Sequence, residues 1–167
     1  MAIDVQALST ALRSGLAQDP SYPARIPDRA SLEEMYRRIR ERAMVVGQPI
    51  LTYSEVVSGA PLIVPEFFGA EPRLIDVHRW EPPERWVLGA ALATIAIEHL
   101  EESGCLITTI VVDQANRRPS QGLYNWIIGA GVLPNDHEDI IIRFETAHQN
   151  AAWRWGAALR RQAKAAI

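Results

Sequence analysis

Apolar positions recur at helical spacing through much of the chain and crowd into one β-like run near its middle. Asp4 heads the first pattern, over residues 4 to 17, where Val5, Leu8, Leu12 and Leu16 share a face. Pro20, Pro23 and Pro27 then forbid a continuous helix, so residues 1 to 29 read as an N-terminal arm and linker. Ser31 and Glu34 have the spacing of a capping box, in which each side chain satisfies a free backbone donor of the other. The stripe Leu32, Met35, Ile39 and Val46 predicts a helix ending near Gly47. Thr52 and Glu55 repeat the capping box and predict a short helix from Tyr53 that stops by Gly59.

Residues 59 to 83 hold Pro61, Pro65, Pro72, Pro82 and Pro83, a density that predicts a loop or small edge hairpin. Their apolar content, including Phe67, Phe68 and Trp80, requires a surface to cover and suggests a partner. From Glu84 the chain is apolar nearly all round to Ile97, as in a helix buried on several sides, and this helix runs to Ser103. Leu106 to Val112 is rich in β-branched residues between Gly104 and Asp113 and predicts a strand. A loop over 113 to 121, a short helix over 123 to 128 and a long terminal helix from Asp136 complete the pattern. The expected fold is α+β and helix-rich, with a winged-helix-like core, a long proline-rich insertion and a long C-terminal helix. Residues 30 to 167 form its single globular domain.

At 48% hydrophobic and 22% charged residues, the composition is that of a folded globular chain. The formal net charge of -3 removes any global attraction to phosphate, so nucleic-acid binding would need a local basic patch. Cys105 is the single cysteine and cannot form an internal disulfide. The N-terminus lacks the basic and apolar regions of a signal peptide, and no uncharged apolar run is long enough to span a bilayer. The expected location is cytoplasmic, without membrane contact.

Several short segments resemble the winged-helix domain of the O6-alkylguanine-DNA alkyltransferases and alkyltransferase-like proteins. Thr52-Tyr53-Ser54-Glu55-Val56 is similar to that family's threonine-tyrosine-glycine-glutamate-isoleucine helix start. Leu88-Gly89-Ala90-Ala91-Leu92 is similar to its valine-glycine-x-alanine-leucine recognition helix, and Asn116 to Tyr124 to its polar wing. The likeness covers about residues 35 to 125 and implies a DNA-binding fold. Where the family has proline-cysteine-histidine-arginine, this chain has Ile107-Thr108-Thr109-Ile110, which offers neither a thiolate nor a base to activate one. The family's base-flipping arginine falls on Trp86, with Arg85 one position early.

No complete catalytic motif, metal-ligand spacing or phosphate-cradling glycine loop is present, so no catalytic residue, metal or cofactor is expected. His99 and Cys105 lie six apart among glutamates, a spacing better suited to a satisfied boundary histidine than to zinc. Tyr53, Arg85, Arg117 and Arg118 are the candidate nucleic-acid contacts, while Phe67, Phe68 and Trp80 are the candidate partner contacts. The first functional expectation is a non-catalytic module for protein interaction or assembly, as a homo-oligomer or with another protein. DNA binding through the helix at 84 to 103 and the loop at 113 to 121 is the alternative, and an unrecognised enzyme is the third.

Overall fold

The computed structural model describes residues 2–167, which form a helix-rich α+β fold with one small sheet. Helix α1 spans Val5–Ala17 and starts where the Asp4 carboxylate accepts the Ala7 N–H at 2.9 Å. Helix α2 spans Arg29–Ala43. Its cap is Asp28, whose side chain accepts the Ser31 N–H at 2.9 Å, and Ser31 instead accepts the Ile63 N–H. The expected Ser31 capping box is thus corrected: both residues are good cap types, and the contact with Ile63 decides between them.

Strand β1, Leu51–Thr52, leads directly into α3, Tyr53–Val57, through the reciprocal Thr52–Glu55 capping box. The insertion contains α4, Pro65–Phe68, and an antiparallel bridge in which Leu62 and Arg73 exchange two backbone hydrogen bonds of 2.8 Å. Arg73 ties the insertion to the next helix by a 3.1 Å ion pair with buried Glu84, while its guanidinium covers the Phe68 ring. Helix α5, Pro82–Glu98, admits two prolines because they occupy its first turn, where N–H groups have no helical partner. It breaks at His99, and α6, Leu100–Ser103, ends on left-handed Gly104.

The strand predicted over Leu106 to Val112 exists only at its end. Ile107–Ile110 winds into a 3-10 helix, and only Val111–Val112 forms strand β2, paired in parallel with β1. The Thr109 amide and hydroxyl both bond the Leu106 carbonyl, closing a turn that the β-branched side chains alone would disfavour. Helix α7 is Gln121–Gly129 and α8 is Glu138–Ala165.

Two apolar clusters meet on α5. Val87, Leu88, Ala91 and Ile95 join residues of α2, α3, the insertion and the 3-10 segment. Ala96 and Ile97 join Leu8 and Leu12 of α1 with Leu100, Tyr124, Ile127 and Phe144. This double burial explains why α5 lacks a polar stripe. No helix among the described residues is long and apolar enough to cross a membrane.

Helices α2 and α8 are in tight contact at Gly156, where a Cβ atom would collide with the Ala43 carbonyl. Gly156→Ala should therefore destabilise the fold by about 3 kcal/mol despite the better helix propensity of alanine, as over-packing does in a rigid core. The midpoint of urea unfolding would show this; an unchanged or raised midpoint would mean that the crossing is looser than described.

Candidate functional site

A cleft of about 800 Å³ opens between α5, α7 and the chain that follows α1. Tyr53, Trp80, Arg85, Trp86, Thr108 and Ser120 line one part of it. The sequence of α5 makes this hollow: Gly89, exposed on the cleft side with nothing within 4 Å of the place its Cβ would take, leaves room that any larger residue would fill.

The Thr52–Glu55 cap sets the direction of α3 and buries Tyr53 to 8% exposure. The Tyr53 hydroxyl accepts the Ser120 N–H at 2.7 Å, joining α3 to the loop before α7, and burial holds its pKa above the usual phenol value. The Trp80 ring lies 6.4 Å from that of Tyr53, tilted by 42°. Two guanidinium groups cover indoles at the mouth: Arg85 lies 5.3 Å from the Trp80 ring centre and Arg25 lies 5.4 Å from that of Trp86. Tyr22 anchors the chain after α1 to the cleft wall by its hydroxyl, 2.5 Å from Thr94 Oγ1. Thr108, 5% exposed, lines the same cleft.

Of the residues singled out in the sequence, Tyr53, Trp80 and Arg85 converge on this cleft. Phe67 and Phe68 do not line it; with Trp80 they pack on the chain's own core, which accounts for the apolar content of the insertion. Arg118 turns inward to the carboxylate of buried Glu145 and also meets Glu138 at 3.6 Å. Hydrogen bonding to Glu145 raises the Arg118 pKa. Arg117 is exposed, with φ of 62°, in a loop where Asp113 accepts the Ala115 and Asn116 amides and Asn116 accepts that of Arg118. The loop is therefore preset by its own hydrogen bonds, and of the two arginines Arg117 alone is turned to solvent.

Tyr22 and Arg25 are cleft residues that the sequence pattern did not mark, while Trp86 and Thr108 stand out in the sequence only as departures from the resembled family. Arg25 and Tyr22 sit among prolines read as a linker, and no local spacing links them to α5. Among the described residues no three His, Cys, Asp or Glu side chains gather to hold a metal. His99 stacks on Tyr36 with ring centres 3.4 Å apart and meets Glu102 through Nδ1 at 3.2 Å. Burial pushes the Cys105 thiol up to about 11, the opposite of an activated nucleophile. No protein family, no curated protein and no solved structure matches this chain.

Behind the cleft, α8 holds the 3-10 segment in place. His148, 2% exposed, accepts the Leu106 N–H on Nδ1 at 3.0 Å, and Gln149 donates to the Thr109 carbonyl at 2.9 Å. Desolvation lowers the His148 pKa from 6.5 to about 4, so the ring is neutral in the folded chain and charges readily once unfolded. The unfolded state binds more protons between those values, so stability is full above about pH 6.5 and falls as pH drops towards 4. The loss should approach about 3 kcal/mol. Unfolding midpoints at pH 7 and 4.5 for wild type and His148→Asn test this, since asparagine keeps an acceptor without titrating. Equal pH dependence in the two proteins would clear His148 of the effect.

Proposed function

We propose that this chain is a non-catalytic, winged-helix-like module that binds nucleic acid and takes an unstacked base into the cleft beside α5. The aromatic lining of that cleft carries the reading: half-exposed Trp86 and partly buried Trp80 line it, each with one guanidinium, Arg25 or Arg85, over its ring, and buried Tyr53 backs them. Stacking on aromatic side chains is worth roughly 1 to 3 kcal/mol per base and tolerates any base. The likeness to the alkyltransferase family at Tyr53 and along α5 supports the same surface. Thr108 at the floor supplies no thiolate, so binding rather than alkyl transfer is the function that suits the site. Arg117 is the loop residue available for phosphate, and Arg118 serves the fold.

Protein docking, the first expectation from the sequence, draws its remaining support from exposed Leu74 and Trp86 at 65% and 50%. A homodimer in light scattering that Leu74→Asp dissolves would favour it.

Binding of a duplex with one unpaired base, compared with a fully paired duplex, tests the cleft. At about 50 mM salt, where phosphate contacts are strong, the unpaired base should improve affinity roughly 5- to 150-fold. Gly89→Leu should abolish that preference, because leucine fills the hollow while improving the helix. Equal affinity for both duplexes, or a preference that survives Gly89→Leu, would sink the reading.

A further inference from the structure

Helix α8 carries positive charge that the fold does not use. Elsewhere Arg25, Arg29, Arg37, Arg38, Arg42, Arg73 and Arg118 hold carboxylates, while Arg40, Arg79, Arg85 and Arg117 hold none but are scattered over separate segments. Among the described residues, Arg143, Arg154, Arg161 and Lys164 make no ion pair and no side-chain hydrogen bond, and all four are exposed. In a chain of net charge -3, unspent cations thus gather on one element.

Helical geometry aligns them. At about 100° per residue, Arg143, Asn150, Arg154 and Arg161 fall within about 20° of a single line roughly 27 Å long. Ile141, His148, Ala152 and Gly156, all buried, occupy the opposite side. The helix dipole accounts for Lys164 in the last turn but not for Arg143, which stands towards the N-terminal end of α8. Asp139 is the one acidic side chain of α8 on that face.

We infer that the outward face of α8 is a contact for the phosphate backbone of duplex nucleic acid, separate from the cleft. Charge complementarity selects a polyanion, and side-chain type selects the kind. The line carries arginines with Asn150, and Thr146 beside it, groups that bond phosphate oxygens. The line itself carries no large apolar side chain; Ile140 and exposed Ile142 flank only its N-terminal end, so it lacks the apolar centre that a protein interface needs. The 3-10 segment lies between α5 and α8, with Thr108 lining the cleft and the Thr109 carbonyl held by Gln149 of α8. The line therefore faces away from the cleft, and the duplex it holds is a different segment from one whose base the cleft takes.

A fully paired duplex titrated from about 50 to 200 mM salt tests this with wild type, the triple variant Arg143→Gln/Arg154→Gln/Arg161→Gln and Arg79→Gln, each checked for native circular dichroism. Losing three phosphate contacts should shrink the slope of log affinity against log salt by about 2 to 3 units in the triple variant. Arg79→Gln, which removes an equally exposed and unpaired arginine away from α8, should leave that slope changed by no more than about 1 unit. A folded triple variant with the wild-type slope overturns the inference, as does a wild type that ignores paired duplex at the lowest salt. Equal, equally arginine-dependent binding of polyglutamate would overturn it in favour of an acidic protein partner. A slope that depends on α8 without any preference for an unpaired base would remove the cleft reading alone.

Discussion

Burial of residues 105 to 112 between α5 and α8 is the constraint on which the remaining geometry depends. A segment with almost no access to water must satisfy every backbone group inside the protein. It does so from several directions: His148 accepts the Leu106 amide, Gln149 donates to the Thr109 carbonyl, and Val111 and Val112 pair with Leu51 and Thr52. The parallel pairing sets where α3 begins, so the position of Tyr53 beside Ser120 follows from how the central segment is satisfied. The cleft floor is then one side of a turn whose other side is bonded to α8.

Helix α5 serves this arrangement by being thin. Fully buried Ala91 and Ala96 let neighbouring chain come close, and on the open side Gly89 leaves a hollow. Two cores that share one helix couple its ends: the wall that faces the cleft and the residues under α1 belong to one rigid rod. Small side chains here do two jobs, close packing on one face and vacancy on another.

Much of the fold is legible in local chemistry. The Asp4 and Thr52 caps, the proline-bounded insertion and the apolar α5 pattern all appear where their residues place them. The failures have a common cause, which is that tertiary contact chose between two locally acceptable options. Ile107 to Ile110 is β-branched and buried on every side, a pattern that periodicity cannot assign, and the partners that made it a 3-10 helix lie some 40 residues away. The site divides in the same way. Tyr53, Trp80 and Arg85 reach the cleft from positions marked by motif or composition. Arg118 looks like a wing cation until Glu145, distant in sequence, claims it, and His148 has no local signature of its role.

Cys105 is fully buried, is the chain's one thiol, and has its pKa pushed up to about 11. It adjoins the segment on which the cleft and the α8 contacts both depend. A thiol so placed reacts with a disulfide reagent only while that segment is open, so the native chain carries a built-in clock for its own breathing. The rate of modification reads the free energy of opening at the centre of the fold, with no label or substitution introduced.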